Sequence, residues 1–270
     1  MKTKHRSWLR LFLGKIYFTL KKQLYWNFSG TLFAHEKNDQ SLQYLIFTHQ
    51  TPLLRKLKNV DMYLQHNKVI NLKIAIKNLD GLIIKPNELF SYWKLIGNPT
   101  ISKGYVDGMI LDHGQVKVGV GGGICQLSNL LYWMILHTPL TVIERWRHSY
   151  DVFPDSKRSQ PFGSGATCAY PNIDLQFKNS TQQEFQLRLK ITKEYLIGEW
   201  RSNRPLEVEY KIFEKNPEIR PLWGKYIRHN EIYRNILNKK SKKLLETEFI
   251  TENNAIMMYD PLIETSKTYG

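Results

Sequence analysis

Three consecutive glycines run directly into an apolar segment, and this junction constrains the fold more than any other stretch of the chain. The run is Gly121-Gly122-Gly123, and apolar residues follow it at three- and four-residue steps: Ile124, Leu127, Leu130, Leu131, Met134 and Ile135. That spacing predicts one face of an amphipathic helix. Glycines at such a place permit a positive φ or a close approach of two backbones. The stretch therefore predicts a strand, a glycine turn and a helix with Cys125 in its first turn.

Cys125 is the candidate nucleophile at this junction. The first turn of a helix carries unpaired N–H groups and the positive end of the helix dipole, and both favour a thiolate. We expect backbone N–H groups here to hold an oxyanion, with the donors at Gly122, Gly123 and Gln126. The alternative interpretation is a buried structural cysteine beside a tight turn, because free cysteine is often buried.

The balance of charge restricts the partners. The 270 residues include 39 Lys and Arg against 24 Asp and Glu, which gives a net charge of +15. Such a charge favours an anionic partner: a membrane surface, a cell-wall polymer, a carboxylate-rich substrate or nucleic acid. Nucleic acid is placed last, since no P-loop, zinc-finger or RNA-binding signature is present. The two cysteines, Cys125 and Cys168, do not make a disulfide framework, and whether they pair stays open.

Short strands mixed with two or three helices, without a regular βαβ alternation, predict an α+β fold with a mixed, mostly antiparallel sheet. A helix is predicted over residues 58–71. Alternation and apolar runs predict the strands, at 45–48, 72–77, 82–84, 109–111, 140–143, 185–191, 196–200 and 208–213. The polar, basic stretch from about Asn230 to Lys243 predicts a solvated segment, with terminal disorder after it. We expect three parts: a basic amphipathic segment (1–40), an α+β domain (41–215) and a polar, basic extension (216–270).

Residues 1–22 are basic and partly apolar, but they fit neither a signal peptide nor a membrane span. Arg10 and Lys15 interrupt the apolar part, and no small-residue cleavage site follows. The apolar residues do fall on one helical face, which is typical of a helix lying on an anionic membrane surface. The alternative is an ordinary helix packed on its own domain. Either way we expect a cytoplasmic protein, peripheral at the inner membrane face in the first case.

A second cluster of reactive side chains lies between Glu144 and Asp151. His148 is the candidate base for a Cys125 thiol, and Glu144 or Asp151 would orient its ring. A substrate carboxylate would be bound by a basic side chain, and the candidates for substrate binding are Arg145, Arg147, Lys157, Arg158 and the hydroxyl residue Ser128. The structural alternatives are a hydrogen-bonded His148 and an ion pair between Glu144 and Arg145.

Metal ligation has little support in the sequence. Residue types that bind metals occur, but without a recognised spacing: His113, Cys125, His137 and His148. We therefore expect neither a metal nor another cofactor.

Several stretches resemble the VanW family. Residues 121–128 read GGGICQLS, residues 144–149 read ERWRHS and residues 165–167 read GAT, followed by Ile173-Asp174 and Phe177-Lys178-Asn179. Upstream, ELFS at 88–91 fits the family's opening segment. The resemblance covers roughly residues 83–179. Two positions depart from the family's pattern: the residue before Ala166 is usually acidic and is Gly165 here, and the usual Ser-Thr is Ser128-Asn129.

The resemblance implies an accessory role in glycopeptide resistance, and some relatives look like L,D-transpeptidases of peptidoglycan. Carried over, the nucleophile is Cys125 and the matching base is His148, although the chain has no Ser-His-Gly-Cys run. The implied partner is a peptidoglycan stem peptide or precursor. The alternative is a non-catalytic protein that binds cell-wall precursors or the inner membrane surface, in which the glycine turn is purely structural.

Overall fold

The computed structural model describes residues 7–57, 60–112, 114–154 and 160–261, except for the side chain of Leu11. Four α-helices are found in these ranges: α1 (Trp8–Phe28), α2 (Met62–Lys77), α3 (Tyr92–Ile96) and α4 (Cys125–Ile135). The first nine strands are β1 (Tyr44–Pro52), β2 (Ile83–Ile84), β3 (Leu89–Ser91), β4 (Asp107–Asp112), β5 (Gln115–Val120), β6 (Thr141–Glu144), β7 (Tyr150–Asp151), β8 (Gln176–Lys178) and β9 (Phe185–Ile191). Four more follow, β10 (Tyr195–Ser202), β11 (Val208–Leu222), β12 (Lys225–Asn238) and β13 (Leu244–Met257).

The strands form four sheets, ordered β1-β10-β9-β2, β11-β12-β13-β7, β3-β8-β6 and β4-β5. Neighbouring strands in these sheets run antiparallel, except that β7 lies parallel to β13. The α+β class with mostly antiparallel sheets is therefore confirmed. The predicted strands at 45–48, 109–111, 140–143, 185–191, 196–200 and 208–213 all fall on strands of the structure.

Helix α4 is the centre of the core. Its apolar face, predicted from the three- and four-residue spacing, is completely buried, with Leu127, Leu131, Met134 and Ile135 at 0% exposure. The helix packs on β1 and β10. Gly198 of β10 lets it come close, since a Cβ there would lie 2.5 Å from the sulfur of Met134. The start of α4 is thus fixed by the core of the domain.

The strand predicted over residues 72–77 is wrong, because these residues complete helix α2. Its buried side chains include Leu64, Lys68, Leu72 and Ala75, which follow one another at the helical spacing of four, four and three residues. Six residues such as 72–77 are too few to distinguish the alternation of a strand from the spacing of a helix. The helical spacing of buried residues that begins at Leu64 shows that 72–77 belong to a helix.

The prediction of a solvated segment from Asn230 to Lys243 is also wrong over most of its length, because residues up to 238 belong to β12. The buried polar side chains of this strand find partners across the sheet. Asn230 lies opposite Asn253, whose Nδ2 donates to Asn230 Oδ1 at 2.9 Å. Such pairing allows a polar sequence to form a buried strand. The expected boundary at residue 215 falls inside β11, and the expected terminal disorder concerns residues 262–270, outside the described ranges.

Helix α1 lies on the domain by one face and exposes the other. Trp26 is buried and Lys22 is largely covered, whereas the opposite side carries exposed apolar side chains, among them Leu9, Phe12, Leu13 and Leu20. The helix carries four basic residues and no acidic one. Among the described residues, no helix has both the length and the apolarity needed to cross a membrane.

Candidate functional site

The glycine turn between β5 and α4 is packed so tightly that only glycine fits it. Gly121 and Gly123 have φ of +77° and +88°, a region that favours glycine. A Cβ on Gly123 would lie 2.3 Å from Cγ of Lys68. The backbone of Gly122 passes Gly108 in β4 so closely that a Cβ on Gly122 would lie 2.1 Å from the carbonyl carbon of Gly108. The prediction of a strand, a glycine turn and a helix is confirmed.

Asn71 of α2 holds this turn in place. Its Nδ2 donates to the carbonyl oxygens of Gly122 and Val106, both at 2.9 Å, and its Oδ1 accepts from the N–H of Val106 at 2.9 Å. The side chain is fully buried. Both N–H donors of the amide and one lone pair of Oδ1 are used in this way, so Asn71 holds the turn in a fixed position.

Helix α4 begins at Cys125, and no side chain caps its first turn. Two of the three predicted oxyanion donors are used within the turn, because the N–H groups of Gly122 and Gln126 donate to the carbonyls of Gly119 and Gly123, at 3.0 and 3.1 Å. Within the described ranges, the N–H groups of Gly123 and Ile124 donate to no protein acceptor, whereas the N–H of Cys125 bonds its own sulfur. The helix start therefore keeps two free donors near the thiol, of the kind that an oxyanion site uses.

The thiol of Cys125 is half-buried, and its partner is the backbone of Cys168. Sγ lies 3.8 Å from the carbonyl oxygen of Cys168, and both cysteines are free. Burial raises the pKa of the Cys125 thiol, and backbone hydrogen bonds of Cys168 and of Cys125 itself act weakly in the opposite direction. The effect of burial therefore exceeds that of these hydrogen bonds, and the resting group is a thiol.

Cys168 is itself buried, and burial raises its pKa well above the ordinary value, with the neighbouring Cys125 adding to the effect. Tyr92 is fully buried next to the same region, and its hydroxyl donates to the carbonyl of Ile124 at 3.0 Å. Its pKa is also raised well above the ordinary value, mainly by burial. These groups surround Cys125 with neutral side chains.

No hydrogen bond joins Cys125 to His148 in the part of the chain that the structure describes. His148 lies half-buried in the extended stretch between β6 and β7. Burial lowers its pKa, and the charge of Arg147 lowers it further. Its imidazole is therefore neutral at pH 7, which is the form that accepts a proton. The predicted thiol and base are thus both uncharged at rest.

Glu144 faces away from this pair in its hydrogen bonding. Its carboxylate accepts from Lys22 Nζ at 3.3 Å, from Trp146 Nε1 at 2.9 Å and from the backbone N–H of Asp174 at 3.2 Å. None of these partners is the His148 ring, and the expected alternative of an ion pair with Arg145 is not formed either. Glu144 instead helps to anchor α1 through its ion pair with Lys22. Lys22 also lies 3.6 Å from Asp174 Oδ2.

Arg145 is half-buried, and its guanidinium is surrounded by neutral acceptors. Its Nε and Nη2 donate to the carbonyl of Gly165 at 2.9 and 2.8 Å, Nη2 also contacts the carbonyl of Gly163, and Nη1 lies 3.4 Å from Thr251 Oγ1. The guanidinium carbon lies 4.7 Å above the ring of Tyr132. Burial lowers its pKa. This side chain fixes the loop before Cys168.

Arg147, the other predicted substrate ligand of this stretch, stacks on Phe162. Its guanidinium carbon lies 4.6 Å from the ring centre, and Arg228 covers the same ring at 4.5 Å. The aromatic ring between two cations ties the segment after β6 to strand β12. The structure gives Arg147 this packing role, and its role toward a substrate stays a prediction.

The polar residues of the first turns of α4 mostly serve the fold. Ser128 is fully buried and donates to the carbonyl of Ala166 at 2.7 Å. Gln126 Nε2 donates to Thr51 Oγ1 and to the carbonyl of Pro52, both at 2.9 Å. These contacts join α4 to the end of β1 and to the loop before Cys168, so a substrate role for either side chain stays a prediction.

Several groups near the site were not predicted as site residues. Asp174 is fully buried and accepts from Ser91 Oγ at 2.6 Å and from the backbone N–H of Trp93 at 3.0 Å; its place in a family-like stretch was the only signal. Lys68 packs its stem on Gly123, and burial lowers its pKa to about 8. Arg234 of β12 lies beside Arg145 in one cavity. Neither basic side chain had a signal in the sequence.

Within the described ranges, no three His, Cys, Asp or Glu side chains come together as a metal site. Of the predicted ligand types, His113 lies outside these ranges. The predicted substrate ligands Lys157 and Arg158 also lie outside them.

The fold and site define a class: an α+β protein whose central helix begins at a cysteine directly after a clamped glycine turn. A family model described as VanW like protein matches residues 67–201. The chain is 38% identical over 185 residues to the vancomycin B-type resistance protein VanW of Enterococcus faecalis, covering 68% of this chain and 67% of that protein. The chain belongs to the VanW family.

A second relative is the uncharacterized protein YoaR of Bacillus subtilis. It is 32% identical over 123 residues, which cover 44% of this chain and 38% of that protein. No solved structure shows a significant match. The predicted family is therefore confirmed by similarity of sequence.

Proposed function

We propose that this chain is an accessory protein of glycopeptide resistance that acts on peptidoglycan stem peptides or their precursors as a cysteine-dependent acyltransferase. The observation that carries the proposal is the position of Cys125, which lies half-buried at the uncapped start of α4 near the free N–H groups of Gly123 and Ile124. The resistance role comes from the printed name of the Enterococcus faecalis relative, and the choice of peptidoglycan comes from the family resemblance.

The proposed chemistry begins from a neutral thiol and a neutral imidazole. Cys125 Sγ attacks an amide carbonyl carbon of the stem peptide while its proton passes to His148. The oxyanion that forms accepts hydrogen bonds from the free N–H groups at Gly123 and Ile124. The C–N bond then breaks, His148 returns the proton to the leaving amine, and a thioester remains on Cys125. An acceptor amine completes transpeptidation, whereas water completes hydrolysis.

The raised pKa of Cys125 favours this order of events. A thiolate is unfavourable in the resting site, so the proton must leave during the attack rather than before it. His148 has to reach the thiol for this step, and catalytic hydrogen bonds commonly form only once substrate is bound. Substrate binding would therefore turn the thiol from the Cys168 carbonyl toward His148.

Intact-protein mass spectrometry tests the proposal. Wild type, Cys125→Ala and Cys168→Ala are incubated with muropeptides that carry a tetrapeptide or a pentapeptide. A stem-peptide adduct is expected on wild type and on the Cys168→Ala control, and none on Cys125→Ala. An adduct that persists in Cys125→Ala, or the lack of any adduct and product with folded wild type, would refute the enzyme proposal. Adding an acceptor amine distinguishes transfer from hydrolysis.

A second candidate function is binding at the inner face of an anionic membrane, and helix α1 favours it. Exposed apolar side chains cover the side of α1 that faces away from the domain, and basic residues such as Arg10 and Lys21 flank them. A helix of this kind lies in a membrane interface with its apolar side in the lipid. In this role the protein would hold cell-wall precursors at the cytoplasmic surface without reacting with them.

Vesicle sedimentation tests this second candidate. We expect binding to phosphatidylglycerol vesicles, weaker binding to phosphatidylcholine vesicles, and a decrease with added salt. Phe12→Glu should abolish binding. Val118→Glu makes the same kind of change at an exposed position on β5, and it should leave binding unchanged. Equal loss in both variants, or no binding by wild type, would exclude the membrane role.

A further inference from the structure

A cavity of about 540 Å³ lies between helix α4, strand β6 and the C-terminal strands. Its wall includes Tyr132, Val142, Arg145, Arg234, Glu248 and Thr251. The two arginines come from distant parts of the sequence, and they meet here because Arg234 of β12 donates to the carbonyls of Leu136 and Thr138, just after the end of α4. The cavity lies outside the immediate surroundings of Cys125.

The charged side chains of the cavity wall, Arg145, Arg234 and Glu248, have a net charge of +1. Arg234 is paired, since its Nε lies 2.6 Å from Glu248 Oε2, and it also donates to the carbonyl of Thr138 at 2.9 Å. Arg145 has no acidic partner within the described ranges, and its contacts are carbonyl and hydroxyl oxygens. Two guanidinium groups and one carboxylate leave a net charge of one.

A half-buried cation without a counter-ion is costly, and neutral carbonyls satisfy its hydrogen bonds without neutralising its charge. Stacking on Tyr132 offsets part of the cost. A carboxylate would offset more of it, because its oxygen accepts a charge-assisted hydrogen bond from the guanidinium and supplies the missing charge. Nη1 of Arg145 has the weakest contact, the 3.4 Å approach to Thr251, and is therefore the side on which such a group would bind.

We propose that this cavity is an anion site, in which Arg145 binds a carboxylate of a peptide. The existence of the site does not depend on catalysis, but the identity of its ligand as a stem-peptide carboxylate rests on the proposed function. Tyr132 follows Cys125 by seven residues, so both lie on the same face of α4, about 10 Å apart along the axis at 1.5 Å per residue. That length corresponds to about three residues of an extended peptide.

The loop between the two places supports this arrangement. Residues 163–168 run along α4 from the cavity to the thiol: Arg145 binds the carbonyl of Gly165, Asn129 Oδ1 accepts from the N–H of Ala166 at 2.9 Å, and the carbonyl of Cys168 faces the thiol of Cys125. A peptide lying beside this loop would place its carboxylate at Arg145 and an amide bond near Cys125.

Calorimetric titration with two stem pentapeptides tests the inference, one with a free terminal carboxylate and one with a terminal carboxamide. Wild type should bind the carboxylate form about tenfold more tightly. Thr251→Asp places a protein carboxylate next to Nη1 of Arg145, so this preference should disappear. Thr251→Asn has nearly the same shape without the charge, and it should keep the preference. Thermal melting verifies that both variants are folded.

Equal binding of the two peptides by wild type, the lack of binding by either, or an unchanged preference in Thr251→Asp would overturn the inference. The proposed function fails separately. A carboxylate preference without any Cys125 adduct would leave the anion site standing and remove the chemistry. An adduct with no carboxylate preference would do the reverse.

Discussion

Gly122→Ala is the sharpest test of the packing that places Cys125. Gly122 is not one of the glycines with positive φ, so alanine is not excluded by backbone conformation. What excludes it is space: the new Cβ would lie 2.1 Å from the carbonyl carbon and 2.3 Å from the carbonyl oxygen of Gly108. Both are backbone atoms of β4, and β4 is held by its full ladder to β5.

The expected loss of stability follows from what must move. A contact at ordinary distance requires β4 and the turn to separate by more than 1 Å, which also breaks the clamp of Asn71 on the carbonyls of Val106 and Gly122. Overpacking alone costs about 1–3 kcal/mol, and unsatisfying a buried amide adds about 1–3 kcal/mol. We therefore expect Gly122→Ala to lower the free energy of unfolding by about 2–6 kcal/mol.

Two other glycines provide matched controls for urea unfolding. Gly224 has φ of +77° but nothing within 4 Å of an added Cβ, so Gly224→Ala should cost only about 1 kcal/mol of backbone strain. Gly14 lies inside helix α1 with open space around it, and Gly14→Ala should not destabilise the protein. A Gly122→Ala variant within about 1 kcal/mol of wild type would refute the packing argument.

Three further predictions follow from individual contacts. Burial lowers the pKa of His137 to about 4. The stability that its neutral form contributes is therefore complete above pH 6.5 and is lost as the pH falls toward 4. Between pH 6.5 and 4, the free energy of unfolding measured in urea should fall by about 3 kcal/mol less in His137→Gln than in wild type. The raised pKa of Cys125 predicts that iodoacetamide labelling, followed in Cys168→Ala, has its pH midpoint above that of free cysteine, and rapid labelling at neutral pH would contradict this. Lys22→Met removes the ion pair with Glu144 and should speed proteolysis around residues 28–31, whereas Lys15→Met, in the exposed part of α1, should not.

The sequence was sufficient where a pattern repeats over many residues. The spacing from Ile124 to Ile135 predicted α4, and alternation predicted β9, with β10 as its hairpin partner. It was insufficient at residues 72–77, where six residues fit both periods. It was also insufficient in β12, because the partner that makes Asn230 acceptable in a buried position, Asn253, comes from the next strand.

The candidate site likewise has features that the sequence predicts and features that it does not. The cysteine at the helix start and the glycines before it are local features, so a short stretch of sequence predicts them. Glu144 and Arg145 also have partners far away in the sequence: Lys22 comes from the first helix, and Thr251 from the last strand. Long-range contacts of this kind decide whether a charged side chain binds substrate or holds the fold, and no spacing within the 144–151 cluster encodes them.

The two departures from the family's pattern illustrate how such contacts act together. Asn129 stands where the pattern has threonine, and its Oδ1 accepts from the N–H of Ala166 at 2.9 Å. A Cβ on Gly165 would lie 2.4 Å from that same Oδ1, so a side chain at position 165 would displace the Asn129 amide from the N–H of Ala166. The two departures therefore lie in contact with each other and belong to one local arrangement. The hydrogen bond from Ala166 to Asn129 fixes the backbone between Arg145 and Cys168, and with it the carbonyl that lies beside the Cys125 thiol.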